Sequence, residues 1–177
     1  MTESLASSEE PVETENGRAS ADVRGNYRYT LTRTWDSSAE ALVFILLNPS
    51  TADASQDDPT IGRCIGFAKR WGFGGIVVLN LYAYRATKPR DMLAADDPVG
   101  PENNRVITEV ATGQTVVAAW GTNARRERVT EVLALLPATT RLLALEVTKF
   151  GHPRHPLYVH GEAQPVPWPA PLIAPSS

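Results

Sequence analysis

"ALVFILLNPSTADASQDDPTIGRCIGFAKRWGFGGIVVLN", residues 41–80, holds a strand, a helix and a second strand in succession. Residues 41–47 are an unbroken apolar run, the pattern of a strand buried on both faces. The "NPSTADASQDDPT" that follows is loop chemistry, and Asp57 or Asp58 can cap a helix that opens at Pro59. That helix places Ile61, Cys64, Ile65, Ala68 and Trp71 on one face and stops at Gly72. "GIVVLN", residues 75–80, is the next buried strand. Two buried strands joined through a helix predict a parallel pair with a right-handed crossover.

Outward from this unit, "YRYTLTRTW" (27–35) alternates in the manner of a half-exposed antiparallel strand. On the other side, residues 81–103 form a long irregular connection interrupted by Pro89, Pro98 and Pro101, and loops of that length are often functional. A helix over 102–112, a buried strand over 115–120, a helix over 123–136 and a last strand over 141–146 complete the pattern. The alternation predicts an α/β fold, a three-layer α/β/α sandwich with a short, mostly parallel central sheet. Ligands in such folds bind beyond the C-terminal ends of the strands, where Asn48, Asn80, Gly121 and a histidine-bearing loop fall.

A chain of 177 residues has room for one domain, read here as 23–162. The first twenty residues carry five acids, one Arg and no aromatic, and the stretch 1–22 is expected to be a disordered acidic tail. With residues 1–20 at −4 and the whole chain at −3, residues 21–177 sit near +1, so the acidic total does not exclude a polyanionic partner. Residues 163–177, rich in proline, are expected to form a second tail. No apolar run reaches the roughly 18 residues of a spanning helix and no signal peptide opens the chain, so a cytosolic protein without membrane contact is expected. A single cysteine, Cys64, excludes an internal disulfide and reads as a buried structural thiol.

All three histidines lie in "GHPRHPLYVH", residues 151–160. No helix gathers them on one face and no thiolates accompany them, so neither a metal nor another cofactor is expected. Two His-Pro units in the loop after the last strand instead make His152 and His155 candidate acid–base or hydrogen-bonding groups. Asn48-Pro49-Ser50 and Asn80, each taken alone, read as turn chemistry at strand ends. Arg125, opening a helix with Arg126 and Arg128, suits a phosphate contact or a solvated face. Arg85 with Lys88, Arg90, Tyr82 and Tyr84 forms a basic and aromatic loop of the kind that stacks on bases and follows a backbone.

"NPSTADASQDDPT", "NLYAYRAT", "VAAWG" and "TKFGHPRHPLY" together resemble the signature segments of the bacterial DUF1643 family, which implies no established activity. More remotely, the order of elements resembles the uracil-DNA glycosylase superfamily. There a first strand ends in Asp-Pro or Asn-Pro, a second in a base-reading Asn, a third runs into a Trp-Gly turn, and the last is followed by a His-Pro-Ser-Pro loop. "ILLNPS", "VVLNLY", "VVAAWGTNA" and "GHPRHPLY" are similar to these in order, with Asn48 in place of Asp and Arg154 where Ser is usual.

That resemblance implies a nucleobase-recognising domain that excises a damaged or modified base by N-glycosidic hydrolysis. Asn48, His155 or His152, and Asp53 are then the catalytic candidates. Asn80 would read the base edge, Tyr82 or Phe67 would stack on it, and Pro49 and Ser50 would shape its site. Arg85, Gly121, Thr122, Asn123, Arg125 and Arg154 would meet a nucleic-acid backbone. The implied partner of this monomer is DNA, with RNA or a free nucleotide as alternatives. A non-catalytic binding module of the same fold, or an enzyme acting on free nucleosides or RNA, is the competing expectation.

Overall fold

The continuous apolar run at residue 41 becomes β4 (Ala41–Leu46), buried from Leu42 onward. The structure is a computed structural model that describes residues 7–169. After β4, Asp58 caps α1 (Pro59–Arg70), its Oδ1 accepting from the Ile61 amide at 2.9 Å, and Lys69 and Arg70 sit in the last turn where the helix dipole favours cations. β5 (Gly75–Asn80) then lies parallel to β4, from Ala41 opposite Gly75 to Leu46 opposite Asn80. One face of α1 buries Ile61, Cys64, Phe67 and Ala68 against Leu42, Phe44, Ile76 and Val78. Ile65 and Trp71 flank this contact half-buried, and Phe67 takes the inward position that Trp71 was expected to hold.

The other strands are β1 (Ser7–Thr14), β2 (Gly17–Arg24), β3 (Tyr27–Thr34), β6 (Thr115–Ala118), β7 (Arg141–Ala144) and β8 (Val166–Pro167). They form one eight-stranded sheet in the order β1-β2-β3-β5-β4-β6-β7-β8. Four of its seven pairings are antiparallel, which corrects the expectation of a mostly parallel sheet. The parallel pairings are confined to β5-β4-β6-β7. These strands are flanked by helices on both faces, whereas β2 and β3 carry alternating patterns that leave one side half-open, as antiparallel strands allow.

Both faces of the parallel strands are covered. α1 packs on one side, and α2 (Pro89–Leu93), α3 (Asn103–Ala111) and α4 (Arg126–Leu135) bring Met92, Val106, Ile107 and Val132 to the other, against Val43, Ile45, Leu79, Val116 and Ala118. The irregular connection after β5 is itself tied in, with Tyr82 and Ala83 buried and the Arg28 amide donating to Ala83 O at 3.0 Å.

Both expected tails contribute strands. Residues 7–22, read as disordered from their acids, form β1 and most of β2, because Ala19, Ala21 and Val23 alternate inward and the strand ladder satisfies the backbone. Gly17, at φ +114°, starts β2 where a Cβ would lie 2.0 Å from Thr34 O. At the other end β8 adds two residues to β7, tolerable for a proline at a sheet edge, and Trp168 packs edge-on against Trp120 with ring centroids 5.2 Å apart. The rest of the two expected tails, 1–6 and 170–177, lies outside the described residues. Among the described residues no helix is long and apolar enough to cross a membrane.

Candidate functional site

Parallel strands deliver the loops after β4, β6 and β7 to the same edge of the sheet, and there they enclose a cleft of about 470 Å³. That is within the range of small-molecule sites. Asn48 and Ser50 line it from the loop after β4, Asp58 and Thr60 from the start of α1, Trp120 to Asn123 from the turn after β6, and Arg154 and His155 from the histidine loop.

Asn48 is held from both sides. Its Nδ2 donates to Pro49 O at 3.0 Å and to Ala86 O at 2.8 Å, which commits the amide hydrogens and leaves Oδ1 as an acceptor. Pro49 is buried and acts through its carbonyl, which also takes the Ala86 amide. His155 precedes a short 3-10 turn (Pro156–Tyr158), and its Nδ1 accepts the Leu157 amide at 3.2 Å. A neutral ring so bonded carries its proton on Nε2 and can donate there. Burial lowers the His155 pKa below its ordinary value, opposed by the charge of Asp58, so the neutral donor form prevails at neutral pH. Gly121, at φ +76°, donates to Pro153 O at 2.9 Å, and a Cβ there would sit 3.5 Å from the His155 Cβ. The turn after β6 therefore packs directly on the histidine loop.

Thr122 and Asn123 are exposed at the rim, and Arg154 faces Glu146 at 3.7 Å with both side chains part-exposed. Leu157 and Tyr158 stand at the mouth, Tyr158 77% exposed and its ring 5.9 Å from that of His155.

Several expected site residues are elsewhere. His152 is exposed outside the cleft, where its amide and carbonyl bond to Thr148. Asp53 closes a turn, its Oδ1 accepting the amides of Ser55 and Gln56, which lower its pKa with the Ser55 hydroxyl assisting. Tyr82 is core, with its hydroxyl accepting the Arg125 amide at 3.1 Å, and Phe67 packs beside Trp71 under α1. Neither has a face free to stack on a base. Arg85 and Arg125 do not line the cleft, although Thr87 and Pro89 between Arg85 and Arg90 do. Asn80 is fully buried and not in the cleft wall. Strand alternation puts its side chain on the face of Leu46, its cross-strand partner and a cleft residue, and both its amide atoms lack a hydrogen-bond partner.

Sequence reasoning missed Arg28, which lines the cleft from β3 while 1% exposed, and it favoured the helix-cap role for Asp58 over that of a site carboxylate. Asp58 caps α1 and also lines the cleft, its charge felt by both His155 and Arg28. The signal for Asp58 was present, since a cap at a helix start beyond a buried strand faces the strand ends. Among the described residues no group of three or more His, Cys, Asp or Glu side chains is placed to hold a metal ion.

No curated protein and no solved structure matches the chain. The model of the family described as "Protein of unknown function (DUF1643)" matches residues 28–157, from the buried arginine of β3 to the turn that follows His155. The chain belongs to the DUF1643 family.

Proposed function

We propose that the cleft accepts a single nucleobase unit and hydrolyses its N-glycosidic bond, as a DNA glycosylase does on an extruded, damaged or modified base. The observation that carries this reading is the meeting of Asn48 and His155 in one cleft, each fixed by backbone hydrogen bonds that leave one atom free for a ligand. The remote likeness to the uracil-DNA glycosylase superfamily supports it, through motif-like strand ends that arrive at a common edge. A volume of about 470 Å³ suits one nucleotide and excludes a duplex, so a polymeric substrate must present an unstacked base.

In this mechanism the bond between sugar C1′ and the base nitrogen breaks with its electron pair passing to the base. Water adds its oxygen to C1′, and the proton it loses ends on the departed base. His155 Nε2–H meets the base oxygen as negative charge develops, an interaction strongest in the transition state. Asn48 Oδ1 orients the water but cannot take its proton, so the acceleration comes from positioning and electrostatics. Tyr158 and Leu157, both exposed at the mouth, supply the apolar contacts first assigned to Tyr82 and Phe67.

The test is incubation with single-stranded and duplex oligonucleotides carrying uracil, hydroxymethyluracil and other modified bases. Abasic product that disappears in Asn48→Ala and His155→Ala is the expected result. No abasic product across the panel overturns the reading. A second reading, nucleotide or nucleic-acid binding without turnover, draws on the position of Asp58: among the described residues that line the cleft it is the carboxylate, and its Oδ1 is engaged by the Ile61 amide. Salt-dependent binding without product would favour it.

A further inference from the structure

Among the described residues three arginines are buried, and two of them have a carboxylate within reach: Arg33 Nε meets Asp57 at 2.9 Å and Arg128 Nη1 meets Glu131 at 3.2 Å. Arg28, 1% exposed, forms no ion pair among the described residues. Its Nη1 donates to Ala52 O at 2.6 Å, while its Nε finds no acceptor. A guanidinium taken out of water with one edge unsatisfied is unfavourable, and buried charges are as a rule paired. Burial draws the Arg28 pKa down to about 10, with the through-space attraction of Asp58 opposing and the charges of Arg85 and Arg33 reinforcing the fall.

Although its Nε is buried, Arg28 is among the residues that line the cleft. Thr60 and Ile61 line it too, on the first turn of the twelve-residue α1, where the dipole favours negative charge. Asp58 stands nearby but already accepts the Ile61 amide through Oδ1 and, among the described residues, forms no hydrogen bond or ion pair with the guanidinium. An arginine presents N–H donors in a planar fork that fits the paired oxygens of phosphate or carboxylate.

We propose that the inner end of the cleft is an oxyanion site, in which the unpartnered Nε edge of Arg28 receives a phosphate or carboxylate oxygen of the ligand. The proposal rests on the cleft being the site of a nucleotide unit, and it narrows the ligand to one bearing an acidic group. That group is either the phosphate of a free nucleotide or a carboxylate on the base itself. Arg28 is then a specificity-determining residue.

Calorimetric titration of the full chain with deoxyuridine, its 5′-monophosphate, orotidine and inorganic phosphate separates the sources. The expected result is at least tenfold tighter binding of the monophosphate or of orotidine than of the neutral nucleoside. That preference disappears in Arg28→Met and is partly kept in Arg28→Lys. Inorganic phosphate binding as tightly as the monophosphate supports the site and assigns it to the anion alone. Equal affinity for all nucleosides, charged or neutral, overturns the proposal. Should Arg28→Met fail to fold, the wild-type chain with ¹⁵N-arginine still decides: addition of the tightest oxyanion must shift the Arg28 Nε–H resonance, and an unmoved resonance overturns the proposal. Oxyanion preference without glycosidic cleavage leaves this site standing and removes the proposed reaction. Cleavage without the preference does the reverse.

Discussion

The parallel body and the N-terminal ribbon share one sheet but are held by different forces. β4, β5, β6 and β7 are four to six residues long, the first three almost wholly buried and β7 buried over its second half, so side-chain packing on both faces stabilises them. β1 and β2 have eight residues each, and residues 10–14 of β1 are all exposed, so backbone pairing is nearly all that holds that strand. The body can therefore fix loops within ångströms at its C-terminal edge, and the ribbon contributes one cleft residue, Arg28, through its neighbour β3.

The largest effect is expected in the body. Phe44, fully buried between β5 and β6, should cost about 3–5 kcal/mol when replaced by Ala, read from urea unfolding. A loss under about 1 kcal/mol would mean that the body is not the packed unit described here. Next, within the proposed reaction, His155→Ala should lower the rate of base release by about 10²–10³-fold, the usual cost of one preorganised donor. Single-turnover product formation measures it.

Asp58→Ala should then lower stability by about 1 kcal/mol through loss of the helix cap, while Asp58→Asn restores the cap and removes only the charge. A pH dependence follows from His155. The unfolded chain takes up a proton there as pH falls through 6.5, but in the fold burial holds the ring neutral to lower pH. The contribution is present above pH 6.5 and is lost below it, and His155→Asn should flatten this part of a plot of melting temperature against pH. The smallest effect belongs to the ribbon: Val12→Ser, at a site 41% exposed, should change stability by no more than about 0.5 kcal/mol. A loss of several times that amount would erase the contrast between ribbon and body.

The same contrast explains what was legible in the sequence. A strand buried on both faces leaves a continuous apolar run, so the strands at 41, 75, 115 and 141 could be located, with α1 and its cap. β1 and β2 leave only small residues at every second place among acids, and composition hides that alternation. The loop positions of Asn48 and His155 were legible because strand ends converge in such folds. Arg28 was not. In "YRYTLTRT" strict alternation would group Arg28 with the outward Thr30 and Thr32, yet it and Tyr29 are both buried, beside the register shift at Asp22/Val23. A bulge changes the phase of a strand, and nothing in the local pattern announces it. Asn80 was legible as a strand end, but which face it takes depends on register, and register buried it.

Trp168 gives the cleft a dependence that contact maps of a bound ligand would not reveal. Its indole Nε1 donates to Gly151 O at 3.0 Å while its ring rests on Trp120, so a residue outside the cleft wall braces the start of the histidine loop and the turn that meets it. The histidine loop is thus a fixed jaw, clamped from behind. Losses of function from changes at the C-terminal edge strand would then report on the aim of His155, and a screen that looks only at ligand contacts would misfile them.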